Sequence, residues 1–375
     1  MTDNIHYWQD LKAEFDIPEK YHDDHPAVQE AQDMEVDIDT ALEERGEYGD
    51  LRDLTAFTID PPDAQDFDDA VSIEETDQGY RTWVHIADVS HYVEPGSELD
   101  RAAEERGVTF YLQDNTRHML PEELSTELCS LVPEEERLAA TVEMEMDEHG
   151  NVKDYDIYKS VIESDARFSY DEADKFLEEA ERQDQDPAEI LSKTTYTDDA
   201  DIAESLLHLD ELTEQIKEDN WDSRLYLNSE DSASSRIIEE MMIKANECVG
   251  DYCQNNGIPA MFRTEADPEK GWKEEVREEL EDLGYHKEAG WLAENKFEKL
   301  NDFMTHEVQD GDINEARKAI VTKLPRARYE IHGMNHFALN TRPYAHFTSP
   351  IRRDADLKTH QMIFSDRDEF DAAFE

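Results

Sequence analysis

Short runs that alternate between apolar and polar positions fill the chain from Leu54 to Ser164 and predict strands at 55–60, 71–74, 80–87, 108–112, 139–146 and 152–162. One helix interrupts them, with Ser97 as its cap and Gly107 as its stop. After Phe168 the period lengthens. Ser169 and Glu172 have the spacing of a capping box, and helical segments follow near 171–182, 198–219, 235–255, 272–283 and 288–308. Strands first and helices afterwards predict an α+β architecture. Residues 1–50 are only patchily apolar, with Pro18, Pro26 and a short helical stretch at Ala41–Arg45. They read as an acidic N-terminal extension or lid, which leaves 51–375 as the main domain.

Charge changes how these elements are weighed. Asp and Glu number 96 against 36 Lys and Arg, a formal net charge of −60, yet aromatic residues stay at 9%. Acid spread evenly along an aromatic-containing chain describes a folded protein with an acidic coat, whereas a disordered acidic chaperone carries acidic runs with few aromatics. Such a coat repels itself in dilute buffer and is screened at molar salt, where the Debye length is about 3 Å, so the chain reads as halophilic. The three cysteines, Cys129, Cys248 and Cys253, form no disulfide framework and suit a reducing, cytoplasmic setting. Residues Met1–Asp10 lack the basic and apolar regions of a signal peptide, and no apolar run reaches the roughly 18 residues of a membrane span.

Where acid is common, acid-poor stretches are the rarer signal. Gly79–Val93 holds only Asp88, Gly107–Pro121 only Asp114, and Lys323–Arg353 only Glu330, although the last would carry about eight acids at the chain's average. Something there is buried or faces a partner that is not cationic. Its five arginines (326, 328, 342, 352 and 353), interleaved with aromatics such as Tyr344, suit single-stranded nucleic acid, with guanidinium forks for phosphate and rings for bases. The alternative is an arginine network pairing the acidic shell.

The opposite signal lies in Thr58-Ile-Asp60-Pro-Pro-Asp63-Ala-Gln-Asp66-Phe-Asp68-Asp69-Ala-Val71, five carboxylates between two strand-like runs. Carboxylates held against apolar neighbours need a counter-ion, and hard divalent cations take oxygen ligands; the competing reading is an acidic surface loop. The glycine and terminal glutamate of an EF-hand are missing. On the helix over 235–255, Ile237, Met241, Ala245, Cys248 and Tyr252 form an apolar stripe while Glu239 and Asn246 share another face. Glu239 either reaches into a channel or is solvated. At 108–112, strand alternation puts Phe110 and Tyr111 on opposite faces without saying which one is buried.

Five collinear stretches resemble the RNB catalytic domain of the ribonuclease II and ribonuclease R family: Thr58–Ser72, Val84–Val93 through Ser97, Arg106–Val132, Ile237–Asn246 (IIEEMMIKAN) and His336–Leu357 (HFALNTRPYAHFTSPIRRDADL). The resemblance implies mixed or antiparallel sheets packed with helices around an RNA channel. It further implies a processive 3′→5′ exoribonuclease that hydrolyses single-stranded RNA to nucleoside 5′-monophosphates by a two-metal-ion mechanism with Mg2+, or Mn2+ as the alternative. Carried over residue by residue, the metal-site aspartates fall on Asp60, Asp66, Asp68 and Asp69, and the base-stacking tyrosine on Tyr111. The transition-state arginine falls on Arg352 and the helix glutamate on Glu239, with Glu240 as the other candidate. Asp68, Arg352 and Glu239 are thus the expected catalytic residues, and Tyr111, Tyr344 and Arg353 the expected RNA contacts.

Two departures bear on this reading. Asp354 stands where the family has an aromatic residue, and the arginine- and glycine-containing stretch before the glutamate helix is shortened to Trp221–Asn228. About 50 residues precede the domain and 22 follow Arg353, too few for the family's flanking oligonucleotide-binding barrels, so these are expected to be missing or the C-terminus cut short. The expected partner is single-stranded RNA, with no membrane and no preference for DNA. Protein partners are not legible. The rival readings are an RNA-binding regulator with this fold and little turnover, and an acidic scaffold.

Overall fold

The computed structural model describes residues 17–112, 115–182, 186–195, 197–225, 232–267, 271–293, 296, 298–301, 313–333, 335–341 and 343–365. Arg342, the expected 288–308 helix beyond Asn301 and the end of the Trp221–Asn228 stretch lie outside them. The framework is a six-stranded sheet in the order β7-β6-β3-β2-β1-β8. Its strands are β1 (Phe57–Asp60), β2 (Asp69–Thr76), β3 (Gly79–Ala87), β6 (Glu136–Met146), β7 (Val152–Glu163) and β8 (Ala166–Ser169). Neighbours are antiparallel except β1 and β8, which run parallel with Asp60 opposite Ser169. A small hairpin, β4 (Phe110–Leu112) with β5 (Asn115–Arg117), stands apart from this sheet.

Strand alternation sends two sets of side chains to two cores. Phe57, Ile59, Val71, Ile73, Val84, Ile86, Val142 and Met144 face the helices that follow the sheet. Among these are α5 (Tyr170–Arg182), α6 (Pro187–Thr194), α7 (Ala200–Asn220) and α8 (Ala233–Asn256), which supply Phe176, Leu191, Leu206, Leu212, Ile237 and Met241. The capping box at the start of α5 is formed: the Ser169 N–H donates to Glu172 Oε2 (2.8 Å), and the Glu172 N–H returns a bond to Ser169 Oγ (3.3 Å). A third, smaller core gathers α9 (Trp272–Asp282), α10 (His286–Ala293) and α11 (Ile313–Val321) around Trp272, Val276 and Leu280.

The other sheet face is covered by α1 (Pro26–Gln32), α2 (Ile38–Arg45), α3 (Val89–Tyr92), α4 (Glu98–Arg106) and α12 (Asp354–Phe364). From Ile17 onward, therefore, the stretch read as an acidic extension is packed into the domain. Ala27, Ala31 and Ala41 are buried, and Arg45 reaches Asp88 at 2.6 Å while bonding the carbonyls of Ala139 and Ser160. Although burial pushes the Asp88 carboxyl up, Lys159 and Arg45 together hold it at about 2. Three of the buried residues in this stretch are small alanines, and Tyr21, Met34, Val36, Ile38 and Leu42 pack beside them only partly buried, so the hydrophobic pattern was faint. No helix among the described residues is long and apolar enough to cross a membrane.

A polar line crosses this second face. His85 lies between Ser72 Oγ (3.0 Å) and Thr141 Oγ1 (2.9 Å), and Thr141 continues to Ser160 Oγ (2.6 Å). Burial alone holds the His85 ring at about 3, well below the ordinary histidine value of 6.5. Below that ordinary value the unfolded chain takes up a proton here and the folded chain does not. Stability is therefore complete above about pH 6.5 and falls as the pH drops toward 3, by roughly 1.4 kcal/mol per pH unit for one histidine. His85→Gln is expected to remove about one proton's worth of that slope between about pH 6 and pH 4 in urea unfolding at fixed salt. An unchanged slope contradicts a neutral, buried His85.

Candidate active site

The loop between β1 and β2 carries the aspartates, and its own sequence shapes it. Pro61 and Pro62 end β1 because neither can donate to a strand ladder. Phe67 then turns inward: its N–H donates to Ser130 Oγ (3.0 Å) and its carbonyl accepts from Leu131 (3.0 Å). Asp66 and Asp68 flank it and find different partners, Asp66 the Tyr111 hydroxyl and Asp68 the Ile351 amide and Arg352. Asp60, Asp66 and Asp69 line a cavity of about 560 Å3, whereas Asp63 is exposed and does not.

Asp68, expected among the metal ligands, does not line the cavity either. It lies beneath, 3% exposed, with Oδ1 accepting from the Ile351 N–H (2.9 Å) and Oδ2 from Arg352 Nε (3.0 Å). Burial pushes its carboxyl up, and the Arg352 guanidinium and the Ile351 amide oppose this. Two donors on two oxygens are the surroundings of a carboxylate, with Arg352 as its counter-ion. Arg352 also donates from Nη2 to Ser349 Oγ (2.8 Å) and faces the cavity. Arg353 is tied to Asp356 (2.7 Å), and its Nε is buried without a partner.

The remaining walls come from three other elements. Tyr111 on β4 is the outward ring of its pair, 57% exposed, and its hydroxyl donates to Asp66 Oδ2 (2.6 Å). Phe110, on the opposite face of the strand, is half-buried rather than a core residue. On α8, Glu239 lines the cavity, while Glu240 is buried and paired with Arg224 (2.9 Å). Tyr344 departs from expectation. Only 7% exposed, it packs edge-on against His336 and His346 and forms wall rather than an open stacking face.

Asn246 and Asp356 went unrecognised in the sequence as supports of this site. Asn246 accepts from the Phe347 N–H (2.8 Å) and donates to the Tyr344 hydroxyl (3.2 Å), and Asp356 accepts from the Ser349 N–H (2.9 Å). Between them they pin the arginine loop, Tyr344–Arg353, which has no regular structure of its own. No hydrophobic pattern marks either: Asn246 shares the face of Glu239, and Asp356 lies on a helix whose buried face is largely polar.

Residues 48–365 match the RNB domain family. This chain belongs to that family. It is 41% identical over 332 residues to ribonuclease R of Aquifex aeolicus, covering 84% of this chain and 46% of that protein, so it spans about half the length of the relatives it matches. It superposes on Mycoplasma genitalium RNase R in complex with ribose-methylated single-stranded RNA with a TM-score of 0.78 at 26% identity, over 96% of this chain and 58% of that one. A yeast pseudonuclease, 20% identical with a TM-score of 0.65 over 88% of this chain and 41% of its own, shares the fold.

The cavity of this RNB domain suits a hard cation. Among the described residues no group of three or more His, Cys, Asp or Glu side chains is placed to form a protein shell for a metal ion. What is present is a partial one: Asp60 Oδ2 is buried without a partner, and burial followed by repulsion from neighbouring aspartates raises the carboxyls of Asp60 and Asp69. Mg2+ commonly takes one or two carboxylates and completes its shell with water and substrate phosphate, so an incomplete shell of crowded carboxylates fits it. Without metal, that crowding destabilises the fold. In EDTA, Asp60→Asn is expected to be more stable than the parent by about 1 kcal/mol or more, and added Mg2+ to raise the parent's unfolding midpoint more than the variant's. A variant less stable than the parent in EDTA contradicts this account.

Proposed function

We propose that this RNB domain is the catalytic centre of an exoribonuclease that shortens single-stranded RNA from its 3′ end and releases nucleoside 5′-monophosphates. The observation that carries the proposal is the meeting, around one cavity, of Asp60, Asp66 and Asp69 with Tyr111, Glu239, Arg352 and Arg353. Carboxylates and guanidinium groups around one cavity are the surroundings needed to hold a phosphodiester between a nucleophile and a leaving group. Divalent cations held by Asp60, Asp66 and Asp69, two Mg2+ or Mn2+ ions in this reading, would supply Lewis acidity to the phosphate and lower the pKa of water.

The chain's own residues do the rest. Asp68 fixes Arg352 so that its guanidinium meets the charge developing on phosphate as water adds and the bond to the upstream 3′ oxygen breaks. Arg353 holds the phosphate, and Glu239 lies on the wall where the terminal ribose would sit. Tyr111 offers its exposed ring to a base, and Tyr344 bounds the base's other side. The three free, buried cysteines suit a reducing cytoplasm.

A 5′-labelled RNA incubated in KCl, with and without EDTA, tests this reading. Progressive shortening from the 3′ end, release of mononucleotides and complete loss in EDTA are expected. Rates should rise from dilute buffer toward molar KCl before falling, because salt must first screen the −60 charge of the coat. Binding without shortening would favour a regulator with this fold, and equal binding of every polyanion an acidic scaffold. A rate that only declines with salt would remove the halophilic reading.

A further inference from the structure

Beside the arginine loop lies a two-stranded ribbon that the catalytic reading does not use. It pairs β9 (Phe262–Thr264) with β10 (Arg328–Glu330), with Tyr329 opposite Arg263. The ribbon is fastened to the cavity wall: the Arg263 N–H donates to the Tyr344 carbonyl (2.8 Å), and Phe262 bridges Ala345. From Tyr344 the rings step outward. His346 stands 5.9 Å away, and Tyr329 stands 5.4 Å beyond it, with a 2.8 Å hydrogen bond between the Tyr329 hydroxyl and His346 Nδ1. The Arg263 guanidinium lies 4.9 Å from the centre of the Tyr329 ring, which is 37% exposed.

Charge distinguishes this ribbon from the rest of the surface. With 96 acidic residues against 36 basic ones, arginines here usually find a carboxylate, as Arg52, Arg81, Arg101 and Arg277 do. Arg263, Arg326 and Arg328 form no ion pair among the described residues, and Arg326 and Arg328 are exposed. Guanidinium groups that form no ion pair, beside an open aromatic ring, match alternating phosphates and bases; the nearby acids are Glu330 on β10 and Glu265, which lies within the field of Arg263. An acidic peptide would use the charges and leave the ring idle.

We propose that the β9–β10 ribbon is a second binding subsite for single-stranded RNA, upstream of the cavity. One base stacks on the Tyr329–Arg263 pair while Arg326 and Arg328 take the flanking phosphates. The proposal rests on the reading of the cavity as an RNA site. It extends the RNA path from the buried Tyr344 through His346 to the surface, where the strand would be gripped before its 3′ end is threaded inward.

The test is equilibrium binding of a fluorescent 20-nucleotide unstructured RNA to the full chain in EDTA, at a salt concentration where the chain is folded, with 2-aminopurine moved along the RNA to report stacking. Tyr329→Ala is expected to weaken binding about tenfold and to abolish quenching at one upstream position, while Tyr329→Phe, which keeps the ring and loses the bond to His346, behaves as the parent. Arg328→Gln, at an exposed position, should lower the slope of log K against log salt by roughly 0.7, and it serves as the reading if Tyr329→Ala fails to fold. Parent-like binding by both Tyr329→Ala and Arg328→Gln overturns the subsite and leaves the cavity reading intact. Equal loss in Tyr329→Phe and Tyr329→Ala also overturns it, since the hydroxyl rather than the ring would then matter. So does competition by an acidic peptide that depends on the same ring. A parent chain that binds no RNA removes both proposals together.

Discussion

One buried contact closes the site: Asp68 and Arg352, 284 positions apart in sequence, share a 3.0 Å bond. The aspartate loop is fixed by the sheet, whereas the arginine loop depends on side chains for its shape. Asp68 receives the Ile351 amide as well as the guanidinium, Asn246 receives the Phe347 amide, and Asp356 receives that of Ser349. A charge buried as deeply as Asp68 costs several kcal/mol unless it is paired and hydrogen-bonded, so folding enforces the juxtaposition of carboxylates and arginines that the proposed chemistry needs.

The same logic explains where acid is sparse. In Gly79–Val93 the cause is burial: β3 and the short helix after it face both cores, and the single acid, Asp88, is held by Arg45 and Lys159. In Lys323–Arg353 there are two causes. Phe347 is buried against His360 with ring centres 3.9 Å apart, and Ala345 and Ile351 are core residues, whereas Arg326, Arg328 and Tyr329 are exposed. Acid would be unpaired in the first group and would neutralise the second.

Elements with local signals were legible in the sequence. The helix from Ser97 to Gly107 and the capping box at Ser169 and Glu172 depend on residues a few positions apart, and both form as read. β8, α6, α11 and α12 escaped. β8 is four residues long, with Asp60 and Ser169 paired across a long separation, and the inner face of α12 buries Lys358, His360 and Gln361, which no hydrophobic pattern marks. The site divides in the same way. The aspartate cluster and Arg352 stood out by composition and by family resemblance, but that Asp66 lines the cavity while Asp68 lies beneath it goes with the bonds Asp68 receives from Ile351 and Arg352, 283 and 284 positions away. The supports Asn246 and Asp356 act on a loop about 100 residues away in one case and next door in the other, and nothing in their spacing announces it.

In the proposed site Asp68 and Arg352 act as one unit, and a double-mutant cycle on single-turnover RNA cleavage tests this most directly. Asp68→Asn, Arg352→Gln and the double variant would be compared at saturating RNA and Mg2+. If the pair acts as one device, each single variant loses about 10²-fold or more and the double variant loses little beyond either alone, a coupling of roughly 2 kcal/mol or more. Losses that simply multiply would show that the two residues act independently and would contradict the claim that Asp68 serves by fixing Arg352.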